Sequence, residues 1–173
     1  MIRIIAGSLK NRAIAVPHHG LVRPTANMVR KAVFDILGAR IEFTGMRFLD
    51  LCAGTGAVGL EAISRGASFV EFIESDAQAL KLIQENLRVF RVEDRALAHT
   101  GLMPRNKHFD AAFVDPPYAE GELGLDAAIA SLNPGAYLFH ETDMPEPAPV
   151  AGAAIEKIYK YGKTFLHLYS RKA

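Results

Sequence analysis

The first forty residues combine two short apolar runs with one amphipathic stretch. Residues 2–5 and 13–16 are β-prone, and the turn-rich connection between them carries two cations, which predicts a hairpin. Residues 17–20 break the chain, and the segment before Pro24 is expected to be extended. Thr25 is then expected to cap a helix that ends near Gly38. Its apolar positions recur on one face and therefore predict packing against a core; they are Val29, Val33, Ile36 and Leu37.

From residue 46 onward, predicted strands alternate with predicted helices, which is typical of an α/β protein with a parallel sheet wrapped by helices. A proline-rich loop at 142–152 and a closing hairpin at 154–161 and 164–170 end the pattern. Apolar runs predict strands at 48–51, 68–74, 96–99, 109–114 and 136–140. Amphipathic stretches predict three helices. The first covers 57–65, the second begins after the capping pair Ser75 and Asp76, and the third covers 126–132 and precedes a turn at 133–135.

A glycine-rich turn between the first of these strands and the first of these helices is the main candidate for chemistry. The sequence from Asp50 reads Asp-Leu-Cys-Ala-Gly-Thr-Gly-Ala-Val-Gly and ends at Gly59. Glycine lets the backbone approach a ligand closely or adopt positive φ, and the first N–H groups of the following helix have no partner within the helix. The stretch therefore predicts a site for a nucleotide-like cofactor.

Two acidic residues bear on which cofactor binds. Glu74 follows Gly56 by 18 residues at the end of the next strand, where an acid can bind ribose hydroxyls in a nicotinamide nucleotide or in S-adenosylmethionine (AdoMet). The glycine pattern alone does not choose between them. Asp50, four residues before the first glycine, suits a cationic or amine-bearing ligand and favours AdoMet. Neither acid has an evident packing role in the sequence, which argues against a ligand-free turn.

A second motif, Asp115-Pro-Pro-Tyr118, follows the predicted strand at 109–114. Two consecutive prolines fix φ and remove two N–H donors, so the backbone here is stiff. The Asp115 carboxylate and the Pro116 carbonyl can together accept both hydrogens of a planar exocyclic amine, and Tyr118 can stack on the base that carries it. These groups suit in-line transfer of a methyl group from a sulfonium centre, which needs alignment rather than a strong base.

The two motifs are expected to meet in space. Asp50, Glu74 and Asp115 each end a predicted strand. In parallel sheets wrapped by helices, ligands bind at the carboxyl ends of the strands. The three acids are therefore expected to line one cleft.

Composition limits the other possibilities. The 173 residues suit a single domain with its own core. Cys52 is the only cysteine, and the six histidines have no i, i+4 partner, so neither a disulfide nor a structural metal is expected. No apolar run approaches 18 residues and the first residues do not resemble a signal peptide, so we expect a soluble cytoplasmic protein.

The net charge of +1 conceals a strong segregation of charge. Residues 1–40 carry +6, residues 41–154 carry −9 and residues 155–173 carry +4. Basic ends around an acidic middle are typical of a surface that binds a polyanion next to a site with a different task.

The two motifs in this order resemble the AdoMet-dependent amino methyltransferases of the Rossmann-like class. The N-terminal part is similar to a narrower group, the bacterial family that methylates N2 of guanine 966 in 16S ribosomal RNA. That likeness rests on Arg3-Ile-Ile-Ala-Gly7 with Arg12, on the run from Leu21-Val-Arg23-Pro-Thr25 to Phe34, and on Tyr161-Gly162-Lys163-Thr164 near the other end. It therefore covers nearly the whole chain.

The resemblance implies a Rossmann-like methyltransferase fold with a seven-stranded, mostly parallel sheet and a reversed last strand. It implies a single domain over 1–173, with 1–40 as a basic extension of hairpin and helix and 41–173 as the catalytic core. AdoMet would be the donor, leaving S-adenosylhomocysteine. The substrate would be 16S rRNA in assembled or partly assembled small subunits, with no membrane or metal partner and a monomeric enzyme.

The resemblance also assigns residues to roles. Asp115, Pro116, Pro117 and Tyr118 would hold the guanine. The donor would contact Asp50, Ala53, Gly54, Gly56, Glu74 and Ser75, with Cys52 as a small packing neighbour. Arg23 and Thr25 would close over the donor or over the phosphate. RNA would meet Arg3, Lys10, Arg12, Arg30 and Lys31. The chain departs from the family pattern between 93 and 110, where the backbone at Gly101 and Leu102 is the remaining candidate for the adenine contact.

Other functions stay open at this point. The same acceptor geometry serves adenine N6 in DNA or a protein amide, although those enzymes usually have Asn where this chain has Asp115. A nicotinamide-dependent oxidoreductase would use the glycine turn but leaves the Asp-Pro-Pro-Tyr motif without a role. A non-catalytic RNA-binding module would not need acids at both motifs.

Overall fold

The computed structural model describes residues 2–16, 24–117 and 124–173, with the side chains of 24–26 also outside the description. The N-terminal elements are β1 (Ile2–Arg3), β2 (Ala13–Ile14) and α1 (Pro24–Gly38). The sheet and its helices follow as β3 (Arg47–Leu51), α2 (Ala57–Arg65), β4 (Phe69–Ile73), α3 (Ala77–Phe90), β5 (Ala96–His99), β6 (Phe109–Val114), α4 (Leu125–Ser131), β7 (Leu132–Thr142), β8 (Ala153–Tyr161) and β9 (Thr164–Arg171).

Strands β3 to β9 form a seven-stranded sheet in the described ranges, in the order β5-β4-β3-β6-β7-β9-β8. The first five strands in this order are parallel. Strand β9 inserts between β7 and β8 and runs antiparallel to both. The Rossmann-like sheet with a reversed last strand and the N-terminal hairpin are therefore confirmed.

Two local predictions are wrong. Helix α1 already includes Pro24, so Thr25 lies in its first turn and is not the N-cap. Proline suits the first helical position because its missing N–H would have no partner there. Strand β7 starts at Leu132, so the segment 133–135 is an irregularity within the strand rather than a turn before it, with Gly135 at φ 78°.

The two faces of the sheet are covered unequally. On the first face, the hairpin and helices α1, α2 and α3 pack on the sheet around buried residues such as Phe48 and Phe72. On the second face, α4 packs around Leu49, Leu51 and Leu138. The segments before β6 and before β8, at 100–108 and 143–152, contain no helix. The first face is thus the thicker one.

One buried carboxylate fastens the segment 100–108 to the sheet. Glu71 of β4 accepts hydrogen bonds from the backbone N–H groups of Arg105 and Asn106, at 2.6 and 3.1 Å, and from the Asn106 side chain. His99 Nε2 lies 2.8 Å from the same carboxylate. Burial raises the pKa of Glu71, but these hydrogen bonds outweigh it and leave the pKa below its usual value. The carboxylate therefore stays ionised.

The N-terminal hairpin is attached to α2 by a second buried carboxylate. Glu61 accepts hydrogen bonds from the backbone N–H groups of Ile5 and Ala6, at 2.8 and 3.0 Å, and pairs with Arg65 at 2.9 Å. Gly7 passes so close that a Cβ there would lie 1.9 Å from the Ser64 carbonyl oxygen. The helix that starts at the glycine turn thus also holds the basic hairpin.

None of the helices in the described part of the chain is both long and apolar enough to cross a membrane.

Replacing Glu61 with alanine is expected to lower the free energy of unfolding by about 3–5 kcal/mol, because the change leaves buried N–H groups and a buried cation without their partner. Urea unfolding of the unliganded protein measures this. Glu85→Ala, at an exposed position on α3, is the matched control and should change stability by less than about 0.5 kcal/mol. Equal effects in both variants would contradict the attachment.

Candidate active site

The glycine turn joins β3 to α2 through left-handed backbone. Gly54 and Gly56 have φ of 54° and 72°, a region that L-residues with side chains rarely adopt. Gly59, in the first turn of α2, packs so tightly on β4 that a Cβ there would lie 2.3 Å from the Phe72 ring. Gly54 and Gly56 therefore bend the chain at positive φ, as predicted, and Gly59 lets the N-terminus of α2 pack closely on the sheet, which was not predicted.

Two carboxylates stabilise this turn by accepting backbone hydrogen bonds. The Asp50 carboxylate accepts a 2.8 Å hydrogen bond from the N–H of Gly59, in the first turn of α2, where the cap residue Gly56 offers no side chain. Glu74 accepts hydrogen bonds from the N–H groups of Gly54 and Asp76, at 2.6 and 2.8 Å. The expectation that these acids lack a structural role is therefore wrong.

Burial changes the protonation of Asp50. The side chain is 1% exposed, and burial raises the pKa of its carboxyl to about 8, against the opposing effect of the hydrogen bond from Gly59. The negative charges of Asp115 and Glu74 raise it further. Asp50 is therefore largely protonated at neutral pH, and a cation bound beside it would favour the ionised form.

Asp115 lies at the end of β6, next to the end of β3. Its N–H donates to the Leu51 carbonyl at 3.3 Å, which continues the parallel ladder that pairs Leu51 with Val114. Pro116 is buried and Pro117 is exposed. The strand register thus brings the two sequence motifs together at one edge of the sheet.

A cavity of about 130 Å³ lies where the motifs meet. Its wall contains parts of the glycine turn (Cys52, Ala53, Gly54 and Thr55), the carboxylates Asp50, Asp115 and Glu141, and Arg30 with Asn27 from α1. The predicted convergence of Asp50 and Asp115 is therefore observed. Glu74 does not line this cavity but reaches the same turn through its bond to Gly54.

Glu141 is the residue that sequence reasoning missed. It is 5% exposed near the end of β7, and its neighbour His140 pairs with Val114, so Glu141 lies beside Asp115 on the adjacent strand. Like Asp50 and Glu74, Glu141 is an acidic residue at the end of an apolar strand, and this position could have identified it. The strand was predicted to end at residue 140, so Glu141 fell outside it.

Arg30 faces the interior. It is 3% exposed, and its Nη2 donates to the Arg3 carbonyl and to Asn27 Oδ1, at 2.7 and 3.2 Å. Its Nε lies 4.0 Å from the Glu61 carboxylate and has no hydrogen-bond partner among the described residues. Burial lowers the pKa of Arg30, and Glu61 opposes this shift. The side chain predicted to contact RNA is thus part of the cavity wall.

The other four residues predicted to bind RNA are exposed. Arg3 and Arg12 donate to backbone carbonyls of Asn11 and Val89, and Lys31 pairs with Asp35. An open groove of about 540 Å³ runs between the hairpin and α1. We call it the basic groove; it is lined by Arg3, Ile4, Ile5, Asn11, Asn27, Met28, Arg30 and Lys31. It shares Asn27 and Arg30 with the cavity and therefore leads to it.

Several predicted donor residues lie away from the cavity or outside the description. Ser75 is exposed and follows Glu74, while Gly101 and Leu102 lie in the segment after β5, also exposed. None of these three lines the cavity. Arg23 and Tyr118 fall outside the described residues, and so does the Thr25 side chain.

Comparisons with known proteins place this site in context. The family described as "Conserved hypothetical protein 95" matches residues 2–170. The "Ribosomal RNA small subunit methyltransferase D" of Haemophilus influenzae is 32% identical over 158 residues, which cover 84% of this chain and 81% of the relative.

Solved structures agree on the fold. The "Putative methyltransferase yhhF" of Escherichia coli superposes with a TM-score of 0.84 at 30% identity, covering 99% of this chain and 98% of that one. The 16S rRNA N2 G1207 methyltransferase of Thermus thermophilus, solved with AdoMet and guanosine, has a TM-score of 0.68 at 22% identity, covering 95% of this chain and 46% of that one. The latter likeness extends to the fold alone.

The unliganded protein is expected to lose stability as the pH rises from about 4 to about 8, because the folded state keeps a proton on Asp50 that the unfolded chain releases near its ordinary pKa of 3.8. Above about pH 8 this contribution becomes constant. Asp50→Asn keeps the acceptor for Gly59 but does not titrate. The difference in unfolding free energy between variant and wild type, measured in urea at pH 5 to 9, should therefore change in favour of the variant up to about pH 8 and then level off. Parallel profiles would contradict the raised pKa.

Proposed function

We propose, from the premise that the chain belongs to the family described as "Conserved hypothetical protein 95" and to the ribosomal RNA small subunit methyltransferase D family, that it transfers a methyl group from AdoMet to N2 of a guanine in 16S rRNA. The observation that carries this proposal is the single cavity lined by Gly54, Asp50 and Asp115. Its natural substrate would be an assembled or partly assembled small subunit in the cytoplasm.

The charges of the cavity fit the amino-acid end of AdoMet. That end carries an ammonium, a sulfonium and a carboxylate. Asp50 and Glu141 would supply negative charge for the two cationic groups, and the buried Arg30 Nε would supply a donor for the carboxylate. Glu74, fixed to the glycine turn, would accept from the ribose hydroxyls, as acids at this position do in related sites.

The acceptor site would use the rigid segment after β6. The Asp115 carboxylate and the Pro116 carbonyl would accept the two hydrogens of the guanine amine and orient its nitrogen toward the methyl group. Because the transfer is an in-line displacement, most of the rate gain would come from alignment of the guanine nitrogen with the methyl group and from charged groups that the folded site already holds in position. Tyr118 would stack on the guanine, as its position in the motif implies.

The basic groove would guide the RNA. Arg3 and Lys31 on its walls are exposed, and their charges would pair with backbone phosphates on one side of the target nucleotide. Lys10 and Arg12 on the hairpin are also exposed, and Arg12 lies against α3, where it donates to the Val89 carbonyl. The groove shares Asn27 with the cavity, so RNA bound there would lie next to the donor.

The alternative functions fit the cavity less well. A nicotinamide dinucleotide carries a doubly negative pyrophosphate, which the carboxylates of Asp115 and Glu141 would repel. An adenine-N6 or amide methyltransferase remains chemically compatible with Asp115 and differs in its substrate. Identification of the methylated nucleoside therefore decides between them.

Asp115→Ala is expected to abolish methyl transfer while AdoMet affinity stays within about threefold, because this carboxylate acts on the acceptor. Asp50→Ala is expected to lose donor binding itself. Transfer of labelled methyl to unmodified small subunits, with calorimetry for donor affinity, measures both. Asp126→Ala, at an exposed position on α4, is the control and should keep full activity. Full activity in both site variants would overturn the site.

The product of the wild-type reaction should be N2-methylguanosine in 16S rRNA. Nucleoside analysis after reaction with small subunits, protein-free 16S rRNA and duplex DNA tests this identity. Methyladenine in DNA would favour the alternative methyltransferase. Calorimetric binding of NAD without binding of AdoMet would favour the oxidoreductase.

Donor binding at pH 7 is expected to release about one proton, because the cationic end of AdoMet should shift Asp50 toward its ionised form. Binding enthalpies measured in buffers of different ionisation enthalpy report this number. The Asp50→Asn variant provides the control where it retains measurable affinity, since it has no proton to release. A buffer-independent enthalpy for the wild type would contradict the assignment.

A further inference from the structure

The turn between β8 and β9 lies at the same edge of the sheet as the cavity. Strand β9 runs antiparallel to β7, with Leu166 opposite Glu141 and Phe165 opposite Thr142. Lys163 precedes Leu166 by three residues and therefore extends roughly 10 Å beyond the level of Glu141, at about 3.4 Å per residue. The turn therefore lies on the side of β7 that carries Glu141 in the cavity wall, and it extends beyond the end of that strand.

This turn carries a concentrated positive charge. Lys157, Lys160 and Lys163 are all exposed, and the segment 157–165 contains no acidic residue. The Lys160 ammonium lies 5.4 Å from the centroid of the Phe165 ring, and the Lys157 ammonium lies 5.1 Å from that of Tyr159. A ring under a lysine orients its stem while the ammonium stays accessible to another anion.

The turn lies on the other side of α1 from the hairpin. Helix α1 contacts β8, and Tyr159 and Tyr161 pack against the core cluster to which α1 belongs. The N-terminal part of α1 contributes Asn27 to both the cavity and the basic groove. The basic groove therefore lies on the α1 side of the cavity, and the turn lies beyond β7 at the ends of β8 and β9. Lys160, over Phe165, projects from the face of the sheet opposite to α1.

We propose that the β8–β9 turn is a second RNA-binding surface, on which Lys160 and Lys163 bind backbone phosphates on the side of the target nucleotide away from the basic groove. This inference rests on the proposed function. Phosphates are the partner that the charges favour, because the middle of the chain is strongly acidic and RNA can approach it only along its basic margins.

The test compares two double variants that remove the same charge at opposite edges of the sheet. Lys160→Gln with Lys163→Gln removes two charges at the cavity edge. Lys107→Gln with Lys172→Gln removes two exposed charges at the other edge, where β6 begins and β9 ends. Affinity for protein-free 16S rRNA and for unmodified small subunits is measured over a range of salt concentrations, with AdoMet affinity as the test of folding.

The cavity-edge variant should bind both RNA probes about tenfold more weakly than wild type. Its plot of log affinity against log salt should be shallower by about 1.4–1.8, as expected for two lost phosphate contacts. The control variant should stay within about twofold of wild type, and both variants should bind AdoMet as wild type does.

Two outcomes would overturn the inference. The first is equal affinity in the two double variants. The second is a loss that occurs with small subunits but not with protein-free 16S rRNA, which would assign the turn to a ribosomal protein instead. Either result leaves the proposed function intact as long as the wild type methylates small subunits; failure of that transfer would refute the proposed function separately.

Discussion

The site depends on two buried carboxylates that hold one glycine turn. Backbone N–H groups in such a turn point away from the helix, and without acceptors they would be costly to bury. The Asp50 carboxylate accepts from the N–H of Gly59, and the Glu74 carboxylate accepts from the N–H of Gly54. Asp50 also lines the cavity, so one side chain both shapes the turn and forms part of the wall of the site.

A third buried carboxylate connects this turn to the basic N-terminus. Glu61 lies on α2, the helix that begins at the glycine turn, and it binds the backbone of the hairpin at Ile5 and Ala6. Arg30 extends the connection from α1 toward the cavity. The hairpin is therefore held in a fixed relation to the glycine turn and to the cavity beside it.

Much of this arrangement could be predicted because it follows from local chemistry. Few structures are compatible with glycines at positive φ, with apolar strands that end in acidic residues or with paired prolines. These patterns therefore correctly predicted that Asp50, Glu74 and Asp115 lie at the ends of strands. Burial of a charged side chain could not be predicted in the same way. Arg30 has the helical spacing of a surface residue, and its partner Glu61 is 31 positions further along the chain.

The strand boundaries at β7 were missed for a related reason. Asn133, Pro134 and Gly135 have strong turn propensity, yet the neighbouring strand β6 holds the chain extended on both sides of them. Tertiary pairing overrode the local preference. The end of the strand was also predicted too early, at residue 140, which left Glu141 outside it.

The reversed strand has a consequence for how the protein is made. Strand β9 separates β7 from β8 in the sheet but follows β8 in the chain, so β8 cannot reach its final neighbour until β9 has been synthesised. Glu141 has an open flank until that time, because Leu166 of β9 is the residue opposite it. Long-range pairing of this kind is slow and completes late. The wall of the cavity at Glu141 should therefore stay incomplete in the nascent chain until β9 has been synthesised, whatever the state of the earlier strands.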